Sequence, residues 1–333
     1  MALVFCDSFD PYTTFLQKWS SGSAALSTAQ ARTGTQSLNP SIPGFANQPR
    51  INFAVRQTLI VGVAYLPQGY GVGGGNQILG FFNTQYGGEN LEVDVLSNGA
   101  IQFTNPSGPF ATSNPGAIAL NVWNYVEVKA QMFPGGIYEC RVNGQVVLSV
   151  NANVPAFNGA DGCFLFAAPS SNQYFDDFYL LDDTGGVNDD YLGAVQIYAI
   201  LPDADETPLQ WTPLSGENYA NVNTAPPPGD SSYVASNTAG DIDQYHYTIT
   251  GPSGAYTIKA MQHSLCCRLD SAGSHTISSQ INAATNAGPQ VGSDSPTGDY
   301  VYAIFPWDKN PNTDAPFEPT DFSSTFVGPI LTT

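Results

Sequence analysis

Apolar and polar residues alternate with a period of two along most of this chain, which is the signature of half-buried β-strands. In residues 90–104, NLEVDVLSNGAIQFT, Leu91, Val93 and Val95 face one way, Asn98-Gly99 turn the chain, and Ile101 and Phe103 resume. An Asn-Gly pair supplies the positive φ angles that a tight hairpin needs. Residues 122–150 repeat the logic as a three-stranded meander, turning at Pro134, Gly135 and Gly136 and again at Asn143-Gly144. Further strands are predicted over 57–66 and 76–83, and the end segments LVFCDSFD and YFDDFYLLD are matched to pair as first and last strands. A closed two-sheet sandwich over residues 1–182 follows.

The second half carries predicted strands at 194–201, 242–247, 256–268, 275–282 and 300–306. Between the first two lies a long polar span, 202–240, with the stiff run APPPGD, which reads as an extended surface arm. The fold expected is all-β: two β-sandwich, jelly-roll-like domains, 1–182 and 183–333, joined by an acidic, turn-rich junction and carrying extended Pro-rich arms.

Composition sharpens this picture. The chain has 333 residues, of which only 11% are charged, against roughly 25% in an average globular protein. Nine basic residues against twenty-eight acidic ones give a net charge of −19, which opposes nucleic-acid binding. The excess lies mostly in the second half. No apolar run approaches the roughly 20 residues of a membrane-spanning helix, and the N-terminus lacks a signal-peptide pattern. Membrane insertion is not expected, and synthesis in a cytosol-like compartment is. Cys6, Cys140, Cys163, Cys266 and Cys267 have no zinc-like spacing and read as thiols.

Few constellations could carry chemistry. Glu92 and Asp94 share a sheet face in LEVDVLSN, as do the acids of jelly-roll glycoside hydrolases, but Leu96 and Ser97 stand where the acid/base Glu would be. Solvent-facing hairpin acids are the expectation, and no enzyme activity is predicted. The run GYGVGGGN at 69–76 lacks the Lys and the helix of a phosphate loop. His246, His263 and His275 fall on separate strands. The acid cluster around the junction supplies hard oxygen ligands, which makes Asp182, Asp183, Asp189 and Asp190 the candidate Ca²⁺ ligands, with solvated turn acids as the alternative. Tyr70, Tyr86, Trp211, Tyr219, Tyr233 and Trp307 sit in predicted loops or arms, where rings stack on sugars or anchor a protein partner.

Residues 174–222, YFDDFYLLDDTGGVNDDYLGAVQIYAILPDADETPLQWTPLSGENYANV, resemble a segment of structural proteins of tailed bacteriophages. The opening FCDSFDPY, ARTGTQSL, the LEVDVLSNGAIQ hairpin and the closing FDDFYLLD, in that order, resemble concanavalin-A-like or laminin-G-like jelly rolls. The resemblance implies a non-enzymatic virion structural protein, exposed on the particle as a tail, fibre or head-decoration component. It implies homo-oligomerisation and contact with capsid, neck or tail proteins. Two other readings make the first domain a receptor-recognition module for host surface glycan, or a degraded glycanase.

Overall fold

The computed structural model describes residues 2–332 apart from 14–17, 23, 41–47, 71–75, 86–87, 154–158, 167–172, 250, 252–254, 271–273, 282–289 and 324–325. Its first half contains fourteen strands. They are β1 (Leu3–Asp7), β2 (Ala25–Ser27), β3 (Ser37–Asn39), β4 (Arg50–Arg56), β5 (Thr58–Pro67), β6 (Asn76–Asn83) and β7 (Gly88–Val95), then β8 (Ile101–Asn105), β9 (Gly108–Thr112), β10 (Asn124–Gln131), β11 (Gly136–Val142), β12 (Gln145–Ala152), β13 (Ala160–Leu165) and β14 (Gln173–Asp182). One sheet runs β12-β11-β10-β5-β14-β3-β2 with β1 also on β14, and the other runs β4-β13-β6-β7-β8-β9.

The two sheets close on one core. Val61, Val63, Val126 and Val128 from the first sheet meet Leu79, Phe81, Leu91, Val93, Ile101 and Phe103 from the second. The alternation in LEVDV thus buries Leu91, Val93 and Val95 inside and turns Glu92 and Asp94 out. First and last strands pair as expected, with Cys6 opposite Tyr179 and Asp7 opposite Phe178. Of the two Asn-Gly turns, Asn143-Gly144 has both φ angles positive, whereas at Asn98-Gly99 only Gly99 does. The second turn is therefore longer, closed by Leu96 N–H to Ala100 O and Gly99 N–H to Leu96 O.

β5 and β14 are buried along their whole length. Their outer faces are covered because residues 183–203 cross them as a strap: Tyr191, Leu192 and Val195 pack on Ile60, Ala64, Tyr179 and Leu181. A strand covered on both faces reads as a continuous apolar run, as TLIVGVAYL does. The strap is held by side chains. Gly193 N–H donates to Glu127 Oε1 at 2.8 Å, Leu192 N–H to the Tyr179 hydroxyl at 3.2 Å, and Ile197 N–H to Asp177 Oδ1 at 2.7 Å. Arg32 pairs with Asp177 and donates to Val195 O. The strand predicted at 194–201 is therefore absent. Its segment packs across a sheet face instead, and among the described residues it pairs with no strand.

The second half contains β15 (Ala204–Leu209), β16 (Thr212–Pro213), β17 (Val234–Ala235), β18 (Asp243–His246), β19 (Met261–Cys267), β20 (Ile277–Ile281), β21 (Gln290–Asp294), β22 (Val301–Trp307) and β23 (Phe326–Leu331). A five-stranded sheet, β15-β18-β23-β20-β21, is faced by the β19-β22 pair, and β16 pairs with β17. Met261, Phe305 and Trp307 fill the space against Ile277, Ile281 and Val327. The surface arm predicted at 202–240 folds onto the second-half sheet. β15 joins the sheet, Asp205 accepts the N–H groups of Asn218 and Tyr219 at 3.0 and 2.6 Å, and buried Asp243 accepts from Gln210, Trp211, Asn218 and Tyr245.

The halves dock at the free edge of β1. The Gln262 side-chain amide accepts from Cys6 N–H at 2.8 Å and donates to Cys6 O at 2.9 Å, and the Asp308 carboxylate accepts from Ala2 and Leu3 N–H at 2.6 and 2.7 Å. Two side chains thus satisfy the backbone of an exposed strand edge.

Candidate functional site

The six-stranded sheet turns a second face outward, and its residues form two adjacent lanes. One lane is aromatic. Phe82 and Phe164 stack with centroids 6.1 Å apart, and Phe166 meets Phe164 edge-on at 4.9 Å. Glycines make the space: a Cβ at Gly162 would stand 2.0 Å from Phe82 Cζ, and one at Gly80 2.3 Å from Phe164 Cζ. No other residue at these two places lets the rings lie flat on the strands.

The other lane is polar. Arg50 on β4 holds its guanidinium 5.1 Å from the centre of the Phe82 ring. Glu89, Glu92 and Asp94 on β7 line up beside it, with Gln77 from β6 bonded to Glu92 and Thr104 from β8 donating to Asp94 at 2.8 Å. Strict alternation would send Glu89 inward, but the β6–β7 register shifts between Phe81 and Phe82. That β-bulge changes the parity of the strand and brings Glu89 onto the face of Glu92.

Glu89 is the most perturbed acid of the lane. Burial, a hydrogen bond to Glu92 and the charge of Glu92 push its carboxyl up to about 8, against the opposing pull of Arg50 and of the neighbouring Gln48 amide. Near neutral pH Glu89 keeps its proton. Burial likewise pushes Asp94 up to about 6, with Glu92 adding to the effect and the Thr104 hydroxyl opposing it. Gln48, 1% exposed, sets its side-chain amide against the Glu89 carboxyl.

The arrangement is suited to holding hydroxyl groups: carboxylate and amide oxygens accept, Gln48 and Arg50 donate, and one protonated carboxyl does either.

The residues singled out from sequence have other fates. Glu92 and Asp94 do share a face, yet they are partners in a half-buried cluster and not free hairpin acids. Tyr70 packs on the sandwich core and donates to Ile118 O at 2.6 Å, so it is a structural residue. Trp307 is 6% exposed in the second-half core, and Trp211 is held by Asp243 and donates its Nε1–H to Asp241 O at 3.1 Å. Trp307 is thus a core residue, whereas Trp211 is half-buried. Tyr219 is half-buried at the start of a short 3₁₀ turn held by Asp205, whereas Tyr233 remains 37% exposed. Tyr86 and the centre of the Gly-rich run lie outside the described residues.

The junction acids do not converge. Asp182 is buried and pairs with Arg56 at 2.7 Å, Asp190 pairs with Lys129 at 3.2 Å, and Asp183 and Asp189 are exposed. Among the described residues no three His, Cys, Asp or Glu side chains are placed to hold a metal ion, so the Ca²⁺ site expected there is not formed. Asp176 and Asp177 are fully buried and clamp the 32–33 turn and the strap. His246 bonds Asp203 at 2.6 Å and His263 bonds Ser279 at 2.8 Å, both within the second half. The cysteines are free thiols, with Cys140 and Cys163 buried.

No protein-family model and no curated protein matches this sequence. Similar solved structures include "Cellulose induced protein, Cip1" (17% identity, 53% of this chain and 89% of that one, TM-score 0.36). They also include the endo-β-1,4-glucuronan lyase of Trichoderma reesei (11%, 54% and 90%, TM-score 0.37). A third is the CBM40 of the Ruminococcus gnavus IT-sialidase (14%, 38% and 77%, TM-score 0.30). Likeness at this level transfers no function.

Proposed function

We propose that the outer face of the six-stranded sheet binds carbohydrate without cleaving it. The observation that carries the proposal is the polar lane itself: Glu89 and Glu92 side by side, flanked by Gln77 and Arg50, with Glu89 holding its proton near neutral pH. Sugar hydroxyls both donate and accept, so they complement a lane that offers both. The neighbouring aromatic lane is buried, with Phe82 4%, Phe164 0% and Phe166 8% exposed, and serves as the packed support on which Arg50 rests.

Binding to an array of host-envelope and plant or microbial polysaccharides, followed by calorimetry on the best ligand, tests this. Glu92→Gln and Gln48→Ala are expected to weaken binding at least 10-fold while leaving the thermal midpoint nearly unchanged. Absence of saturable binding, or affinity indifferent to both changes, rejects the proposal. Sugar release that stops in Glu92→Gln would return the glycanase reading.

A virion setting is a second proposal, favoured by the resemblance of residues 174–222 to tailed-phage structural proteins. On an exposed tail, fibre or head-decoration component, this face would recognise host surface glycan, and repeated copies would add avidity. Immunogold labelling of purified virions is expected to place the chain at a fixed outer site. Protein found only free in lysates would reject the virion setting and leave the sugar-binding face standing.

A further inference from the structure

A groove of about 1190 Å³ separates the strap from the second half, with Ile197, Tyr198, Leu201, Tyr233 and Leu265 among the residues along its walls. Tyr198 is 37% and Leu201 38% exposed there. Two backbone edges open onto it. Among the described residues β19 pairs on its β22 side alone. Residues 198–201 are apolar and lie in no strand or helix, and among the described residues none of their backbone groups has a hydrogen-bond partner. A free strand edge is a place for such a segment to pair.

The charge pattern identifies the occupant. The chain carries 28 acidic residues and a net charge of −19, so two copies repel over most of their surfaces. Residues 191–202 contain no charged side chain, and residues 244–267 contain only Lys259. At the rim, Asp230 is neutralised by Arg268 at 2.8 Å. The charged groups along the groove are Lys18, Arg32, Lys259 and Arg268 with Asp230 and Asp270, so this face carries no net negative charge and is where acidic copies approach with the least penalty. It carries both an unpaired segment and an unpaired edge, the self-complementary pair a closed symmetric assembly requires.

We propose that the groove seats a second copy of this chain, whose residues 198–201 add to the free edge of β19. The contact is independent of the sugar-binding face. Sedimentation equilibrium of the full chain at tens of micromolar is expected to return a whole-number multiple of 35.3 kDa. Leu201→Glu and Tyr198→Glu are each expected to reduce this to the single-chain mass with an unchanged far-ultraviolet circular dichroism spectrum. Val146→Glu, at a residue 53% exposed on the other half, is expected to leave the assembly intact. Hydrogen exchange of the unaltered protein should find the amides of 198–201 protected, a readout that stands even if a variant misfolds. A single-chain mass throughout overturns the proposal, as does an assembly indifferent to both Glu variants or one with unprotected 198–201 amides.

Discussion

The two outer faces of the first sandwich both carry buried acids, and they differ in who meets them. On the eight-stranded sheet, Asp177 accepts from Arg32, Thr33 and the Ile197 N–H, Asp176 accepts three backbone N–H groups, and Glu127 accepts from Tyr179 and Gly193. On the six-stranded sheet, Glu89 lies against Glu92, with Gln48 and Arg50 beside it. A raised pKa does not separate the faces, because burial also pushes Asp176 up to about 7 with Asp177 adding to it. The inventory of partners does. Acids met by backbone N–H groups and an arginine hold the fold, and an acid set against a second acid is available to something else.

The largest expected effect comes from breaking the satisfied face. Asp177→Ala strips Arg32, Thr33 and the strap of their common acceptor and is expected to cost about 3–5 kcal/mol, read as a fall in the denaturant midpoint. Glu92→Gln on the other face should stay within about 1 kcal/mol, so equal losses would erase the distinction.

Next in size is Gly162→Ala, which drives a methyl into the Phe82 ring and should destabilise by about 1–3 kcal/mol. It is also expected to weaken glycan binding by tilting the aromatic lane. Unchanged binding with lowered stability would show that the polar lane works alone.

Stability against pH gives the smallest and sharpest contrast. Glu89 is raised from an ordinary value near 4.5 to about 8. The folded state therefore holds a proton that the unfolded chain has released, and stability present at acidic pH is lost as pH rises through about 8. Asp94 and Asp176 act in the same direction, up to about 6 and about 7. Thermal melts from pH 4 to 9 should decline in the unaltered protein. Glu89→Gln is expected to flatten the upper part of that decline, and Asp94→Asn the lower part. Identical curves would mean that neither acid is protonated when folded.

Much of the sandwich was legible because its information is local. The period of two in LEVDV and NYVEVKA set which side chains face inward, and the Gly-containing turns set the hairpins. The pairing of the terminal strands was readable from their matched apolar patterns. The site was half legible. Glu92 and Asp94 could be placed on one face, but Glu89 could not, because a bulge that reverses parity leaves no mark in an alternation pattern. Gln48 and Arg50 reach the site through strand order, which joins residues distant in sequence. The strap misled for a related reason. YLGAVQIYAIL has the composition of a strand, and composition does not reveal whether a neighbouring edge exists.

By itself, then, the sequence determined the all-β class, the orientation of side chains along most first-half strands, and the net acidic charge. These follow from steric periodicity and net charge, which act over a few residues or over the whole chain. Only the tertiary structure decided which acids were satisfied, that the 202–240 span folds back onto its own sheet, and that residues 198–201 and the edge of β19 open onto one groove. Hydrogen-bond satisfaction and strand pairing depend on groups brought together from far apart in the chain, and no local pattern records where those groups come to rest.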